Sequence, residues 1–135
     1  MFKTNLPFFS ILAIVLLAFA ACKTTQIIGA NRLDSKHFEK ALKQPNTVLV
    51  DVRTSTEYDS AHIPNALLAD WKNKTAFMQV VKSFDTSKTY LLYCRTGKRS
   101  LAAADTLRTL GFSKVYDLTG GIANWNGPVE KKQQQ

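Results

Sequence analysis

The stretch TYLLYCRTGKRSLAAADTLRTLG, residues 89–111, decides the fold of this chain. It opens with a continuous apolar run, which is typical of a strand buried on both faces of a parallel sheet. It closes with apolar residues at helical spacing and then a glycine, a pattern that predicts a helix over residues 97–110. The inward face of that helix is predicted to consist of Leu101, Ala104, Leu107 and Leu110. A strand that leads directly into a helix indicates an α/β domain.

The rest of the chain repeats this alternation of strand and helix signals, and 135 residues are enough for one compact domain. We therefore expect a single α/β domain with a mostly parallel central sheet and helices on both of its faces. The other expected elements are a helix over 35–43, a strand over 47–52, a helical turn near 54–58, at most a short strand within 63–69, a helix over 76–84, a strand over 114–118 and a helical piece over 122–125.

The first 21 residues have the composition of a secretory signal, with a basic start, an apolar core and small residues before a cut site. The apolar run is shorter than the roughly 20 residues that a membrane span needs. The sequence FAAC at 19–22 resembles the lipobox of bacterial lipoproteins, in which the cysteine is lipidated. We predict a lipoprotein signal peptide at 1–21, a lipidated Cys22 with a tether to residue 33, a domain over 34–130 and a polar tail over 131–135.

Two alternatives to lipidation are an ordinary signal peptide cut near residue 21 and an uncleaved anchor. Lipidation predicts an exported bacterial lipoprotein, anchored in the periplasm or at the outer membrane or cell surface. The chain has two cysteines, and a disulfide between Cys22 and Cys94 is the other use they could have in an oxidising compartment. Acyl chains on Cys22 would exclude that pairing and leave Cys94 as the free thiol of the mature protein.

The formal net charge of the chain is +8. Removal of the signal takes away only Lys3 and leaves 17 basic against 10 acidic residues, or +7. Such a balance fits small anionic substrates or an anionic membrane surface. We expect no nucleic-acid partner, because aromatic and basic residues do not interleave as they do in single-strand binders. We expect the domain to be a monomer that contacts the membrane through its lipid anchor.

Cys94 is the candidate reactive residue, because it lies between a predicted strand and a predicted helix, at the edge of the sheet where ligands bind. Backbone N–H groups of a tight loop and the positive end of the helix dipole would both stabilise a thiolate there. Arg95, Lys98 and Arg99 add positive charge, and Gly97 allows the backbone a tight turn. The sequence therefore predicts a lowered thiol pKa, with a buried structural cysteine as the alternative.

Four segments of the chain form an ordered set of motifs: VDVR at 50–53 with EY at 57–58 and HIPNA at 62–66, CRTGKRS at 94–100, LTGG at 118–121 with Trp125, and GPVE at 127–130. Together these segments resemble the rhodanese family in its single-domain form. The loop that contains Cys94 is similar to the active-site loop of that family, and the resemblance extends over about residues 33–130. Ala61 and Asn65 depart from it, since the family usually has glycine at both positions.

The resemblance implies a sulfurtransferase in which Cys94 takes the outer sulfur of a small anionic donor such as thiosulfate. The resulting persulfide would pass that sulfur to cyanide or another thiol, with no metal or other cofactor. Asp51 and Arg53 are predicted to support the loop. The residues predicted to bind the donor or the anionic sulfur are Arg95, Thr96, Gly97, Lys98, Arg99 and Ser100.

Two other functions compete with sulfur transfer. Tyrosine phosphatases use the pattern Cys-x5-Arg, and the arginine of that pattern would fall at Ser100, so the shorter loop here disfavours phosphatase or arsenate reductase chemistry. A non-catalytic or partner-specific binding module is the second alternative, and the presence of Cys94 disfavours its non-catalytic form. A thioredoxin-like oxidoreductase is disfavoured because Cys94 has no second cysteine in a Cys-x-x-Cys motif.

Overall fold

Residues 31–132, which the computed structural model describes, form a five-stranded sheet with the strand order β1-β5-β4-β2-β3. All four strand pairs are parallel. No helix in this part of the chain is long and apolar enough to cross a membrane. The strands are β1 (Arg32–Leu33), β2 (Thr47–Asp51), β3 (Leu67–Leu68), β4 (Thr89–Tyr93) and β5 (Val115–Leu118), and the helices are α1 (Ser35–Leu42), α2 (Ser55–Ser60), α3 (Lys74–Val81), α4 (Lys98–Thr109) and a 3-10 helix (Gly121–Asn124).

The central strand β4 divides its side chains between two hydrophobic cores, one on each face of the sheet. Tyr90 and Leu92 pack in the core that α3 and α4 cover, whereas Leu91 and Tyr93 pack in the core that contains Phe38 of α1. All five side chains are almost fully buried. Such burial on both faces is what the continuous apolar run at 89–93 predicted. The predicted fold class, a mostly parallel sheet with helices on both faces, is confirmed.

The sheet begins two residues before residue 34, the predicted start of the domain. Arg32 and Leu33 form β1, which pairs in parallel with Asp117 and Leu118 of β5. A two-residue strand has too short an apolar pattern to be recognised in the sequence, and its pairing depends on a strand 85 residues away. Residues 1–30, which include Cys22 and the predicted signal peptide, lie outside the described residues.

The predicted inward face of α4 was partly wrong. Ala104 and Leu107 are buried as predicted, but Leu101 is only half-buried and Leu110 is 46% exposed. Gly111 turns the chain with a φ of 97°, and Phe112 then enters the core at 6% exposure. Phe112 therefore occupies the position in the core that the helical spacing assigned to Leu110.

The C-terminal residues up to 132 are attached to the domain through the segment after α2. Glu130 and His62 exchange two backbone hydrogen bonds of 2.8 Å, and the Nε2 atom of His62 lies 3.2 Å from a Glu130 carboxylate oxygen. The N–H group of Lys132 donates to the carbonyl of Asp59 at 3.2 Å. The first residues of the tail predicted for 131–135 therefore contact the domain, and residues 133–135 lie outside the described part of the chain.

Candidate active site around Cys94

Cys94 directly follows β4 and lies at the edge of the sheet where all five parallel strands end. Only 1% of the surface of this residue is exposed to solvent. The N–H group of Gly97 donates to the Cys94 sulfur at 3.1 Å, and the N–H groups of Thr96 and Ser100 also point to it. Since α4 begins at Lys98, the sulfur lies at the positive end of that helix as well. The loop is thus an anion-binding nest built around the sulfur atom.

The pKa of the Cys94 thiol is set by two opposing effects. Burial raises it, because a charged thiolate loses hydration in the interior. Hydrogen bonds from the Ser100 hydroxyl and from the N–H groups of Ser100, Gly97 and Thr96 lower it by more, so the pKa lies below that of an ordinary thiol. The hydrogen bonds around the sulfur therefore favour the thiolate form of Cys94, and Ser100 is one of the donors.

Gly97 gives the loop its shape and allows a close contact with the edge of the sheet. Its φ is 92°, in the left-handed region that other residues rarely adopt. Its carbonyl accepts a 3.0 Å hydrogen bond from the Arg32 guanidinium of β1. A Cβ atom at this position would crowd the same guanidinium, at 2.7 Å. Glycine is therefore required here by the backbone conformation and by the approach of Arg32.

Asp117 of β5 lies beneath the loop and is fully buried. Arg32 donates to both of its carboxylate oxygens at 3.0–3.3 Å, and the Ser100 hydroxyl donates to one of them at 3.2 Å. Burial raises the pKa of the Asp117 carboxyl, and the hydrogen bonds and charge of Arg32 act against that increase. Neither Arg32 nor Asp117 was recognised in the sequence. An aspartate inside the apolar strand 115–118 was the available signal, but its partners come from distant positions.

The loop after β5 holds the first two residues of the Cys94 loop. The N–H groups of Ile122 and Ala123 donate to the carbonyls of Cys94 and Arg95 at 2.8 and 3.1 Å. Gly121, with a φ of 64°, packs so closely against these two residues that a Cβ atom there would overlap their backbone. Gly121 and the two residues after it thus act as a backbone clamp on the reactive loop.

Arg99 is bound by a carboxylate of the same domain. Its guanidinium makes a bidentate pair with Glu57, with nitrogen–oxygen distances of 2.7 and 2.8 Å. The same Glu57 carboxylate closes the capping box of α2 with Thr54. Arg99 also carries a favourable charge interaction with Cys94. Arg99 is therefore near enough to the sulfur for its charge to act there, while its guanidinium is bound to the Glu57 carboxylate.

Asp51 and Arg53 form a buried ion pair at the end of β2, with a closest contact of 2.6 Å. Arg53 also donates to the carbonyl of Ala61 at 2.7 Å and lies over the ring of Tyr93. The pair fixes the segment that follows β2. The N–H group of Val52, which lies between the two residues, donates a hydrogen bond to the Tyr93 carbonyl just before the loop. Their contact with the Cys94 loop therefore runs through Tyr93 and the β2–β4 pairing.

The remaining predicted loop residues face solvent. Arg95, Thr96 and Lys98 are exposed, and within residues 31–132 neither Arg95 nor Lys98 takes part in a salt bridge. Arg95 and Lys98 therefore surround the loop with positive charge that is available to an anion. Among the described residues, no group of three His, Cys, Asp or Glu side chains could hold a metal ion.

The family model described as Rhodanese-like domain matches residues 34–128. The chain therefore belongs to the rhodanese-like family. Thiosulfate sulfurtransferase GlpE of Pseudomonas syringae is 35% identical over 86 residues, which cover 64% of this chain and 78% of that protein.

Other relatives and solved structures widen this comparison. The tRNA uridine(34) hydroxylase of Pelagibacter ubique is 28% identical over 103 residues, covering 76% of this chain, and the chain spans only 34% of that protein. The crystal structure of a rhodanese-like domain protein from Staphylococcus aureus superposes with a TM-score of 0.66 at 25% identity. That match covers 76% of this chain and 98% of the other. The family thus includes proteins with different complete activities.

Proposed function

We propose that this rhodanese-like chain is a sulfurtransferase that carries a sulfane sulfur on Cys94. The observation that carries the proposal is the convergence of loop N–H groups and the Ser100 hydroxyl on a sulfur whose pKa is lowered. The thiolate is the form of cysteine that attacks another sulfur. The similarity to a thiosulfate sulfurtransferase over most of that protein's length supports the same chemistry.

The reaction with thiosulfate balances without any cofactor. The Cys94 thiolate attacks the outer sulfur, a new S–S bond forms, the bond to the sulfonate sulfur breaks, and sulfite leaves with its electron pair. The product is an anionic persulfide, whose terminal sulfur the loop amides are placed to stabilise. Cyanide or a thiolate then attacks that terminal sulfur and releases the Cys94 thiolate. Storage of the sulfur on the protein divides one difficult transfer into two easier steps.

An anionic donor fits the charge around the loop. Arg95 and Lys98 are exposed beside the loop, and Arg99 lies behind the loop with its charge partly neutralised by Glu57. The exposed pair is therefore the proposed contact for the sulfonate of the donor. The geometry disfavours phosphatase chemistry, because the position that would supply the phosphate-binding arginine is the buried Ser100.

The test uses the full chain with Cys22→Ser in mild detergent, so that Cys94 is the only thiol. After incubation with thiosulfate, the intact mass should rise by one sulfur, about 32 Da, and cyanide should remove it as thiocyanate. Cys94→Ser in the same background is the control and should show neither change. A folded protein with a titratable thiol that gains no sulfur would contradict the proposal and favour a partner-specific or non-catalytic binding module.

We propose, in addition, that the domain is exported and held at a membrane by lipid on Cys22. The support is the signal-like composition of residues 1–21 and the cysteine that directly follows two alanines. A lipid-anchored domain would meet its sulfur donor and acceptor at the membrane surface.

A further inference from the structure

A chain of hydrogen bonds runs from the edge of the sheet to the Cys94 sulfur on the side of the loop away from solvent. Arg32 binds both oxygens of Asp117, and Asp117 accepts from the Ser100 hydroxyl at 3.2 Å. The Ser100 side chain also acts on the Cys94 sulfur, whose pKa it lowers. Asp117 and Ser100 are fully buried. This array connects β1, β5, α4 and the reactive loop.

The Ser100 hydroxyl has two possible acceptors in this array but only one proton to donate. A serine hydroxyl has one proton to donate, so Ser100 cannot donate to Asp117 and to the Cys94 sulfur at the same time. An ionised Asp117 and a Cys94 thiolate are both acceptors and therefore compete for that proton. Arg32 alters the competition, because it supplies two donors to Asp117 and a third contact to the Gly97 carbonyl.

We propose that Arg32 and Asp117 are positioning residues that direct the Ser100 hydroxyl proton to the anionic sulfur of Cys94. With both carboxylate oxygens of Asp117 occupied by the Arg32 fork, Asp117 needs Ser100 little, and Ser100 turns to the thiolate. When Cys94 is a neutral thiol, the hydroxyl turns to Asp117, which lies 3.2 Å from it. The importance of this switch for turnover rests on the proposed sulfur transfer, but its effect on the thiol does not.

Other charged groups surround this array and must stay constant in a test. Arg99 of α4 has a charge interaction with Cys94, and Arg108 of α4 has one with Asp117. The others are Arg95 and Lys98 beside the sulfur, Asp51 and Arg53 at the end of β2, and Glu57 of α2, which binds Arg99.

The variant Arg32→Lys tests the geometry while it keeps the charge. A lysine has one nitrogen and cannot bind both Asp117 oxygens and the Gly97 carbonyl in the fixed geometry of a guanidinium. Asp117 should then retain the Ser100 proton, and the pH midpoint of Cys94 alkylation should rise. At a pH below the midpoint, the second-order rate with iodoacetamide should fall about 3- to 10-fold. The full chain with Cys22→Ser is used throughout.

The matched control is Arg108→Lys, because Arg108 also joins an aspartate, Asp105, to a backbone carbonyl, that of Val115. It lies at the other end of α4, and its alkylation profile should equal that of the parent. The second variant, Asp117→Asn, removes the competing acceptor charge and should lower the midpoint. These opposite signs for Arg32→Lys and Asp117→Asn distinguish positioning from a general loss of packing.

A double-mutant cycle with Ser100→Ala shows whether the effect passes through the hydroxyl. In the Ser100→Ala background, the change that Arg32→Lys causes in the alkylation midpoint should be less than about half of the change that it causes in the parent. An unchanged midpoint in Arg32→Lys, or an equal change with and without Ser100, would overturn the proposal. Because alkylation needs no sulfur donor, either result is separate from the outcome of the persulfide experiment.

Discussion

At the scale of single residues, the carboxylate of Glu57 has two partners that belong to different parts of the site. It accepts from the N–H group and the hydroxyl of Thr54 at 3.0–3.1 Å, which caps α2, and it binds Arg99 behind the reactive loop. The Arg99 hydrogen bonds lower the pKa of Glu57 from 4.5 to about 2, against a smaller effect of burial. One carboxylate thus joins the segment after β2 to the start of α4.

The variant Glu57→Gln should lower stability in a pH-dependent way. A carboxyl whose pKa is lowered on folding stabilises the protein above its unfolded pKa, and this contribution is lost as the pH falls through the folded pKa. The loss of unfolding free energy in Glu57→Gln, about 1 kcal/mol for a partly exposed pair, should be complete above about pH 5 and vanish toward pH 2. Urea denaturation across this pH range measures it.

Glu39→Gln is the control for that series, since Glu39 pairs with Lys43 in an exposed position on α1. Its effect on stability should be smaller, because both side chains of this pair are exposed. A pH-independent difference between Glu57→Gln and the parent would show that the ion pair with Arg99 does not stabilise the fold.

The residue scale also shows what the sequence could predict of the site. Cys94, Gly97 and the loop amides were predicted, because a strand, a short glycine loop and a helix are contiguous in the chain. The partner of Arg99 was not, since Glu57 lies 42 residues away, and Arg32 acts across 65 residues on Gly97. Contacts of this range follow from strand order, which the sequence pattern does not specify.

At the scale of elements, the reactive loop is shaped by the loop that follows β5. Gly121 packs against the backbone of Cys94 and Arg95, and the N–H groups of the next two residues donate to their carbonyls. The precise course of the Cys94 loop therefore depends on an element about 25 residues downstream of it.

The variant Gly121→Ala should push the two loops apart. A left-handed φ and a direct overlap with backbone atoms act together, so the loss of stability should be roughly 2 kcal/mol or more. Thermal unfolding measures this loss, and a raised alkylation midpoint of Cys94 should accompany it.

Gly111→Ala provides the matched control for the conformational part of that effect. Gly111 has a φ of 97°, but no atom lies within 4 Å of the place that a Cβ would take. Gly111→Ala should lower the free energy of unfolding by the left-handed strain alone, about 1 kcal/mol, and should leave the reactivity of Cys94 unchanged. Equal stability losses in the two variants would contradict the clamp.

Element boundaries show a similar limit of sequence reasoning. The three longer strands and α4 were predicted from apolar runs and helical spacing. α3 begins at Lys74, earlier than predicted, because Asn73 caps it through the N–H group of Ala76, and it also ends earlier than predicted, at Val81. The spacing of apolar residues indicates which face of a helix is buried, whereas its ends depend on capping side chains.

At the scale of the whole molecule, only nine residues, 23–31, separate Cys22 from the edge strand β1. Lipid on Cys22 would therefore hold the domain within a short distance of a membrane. Labelled palmitate should enter the full chain when it is expressed in a bacterial host, and Cys22→Ala should abolish the label, whereas Cys94→Ser should keep it. Label that persists in Cys22→Ala would contradict lipidation of that cysteine.

The pairing of β1 with β5 has a consequence for the history of each newly made molecule. Residue 32 meets residue 117 only when nearly the whole domain has been synthesised, and contacts between residues so far apart in the sequence form slowly. Until then, the Gly97 carbonyl and the Asp117 carboxylate lack their hydrogen bonds from Arg32. The hydrogen-bond network beneath the Cys94 loop is therefore complete only when the two ends of the domain have met.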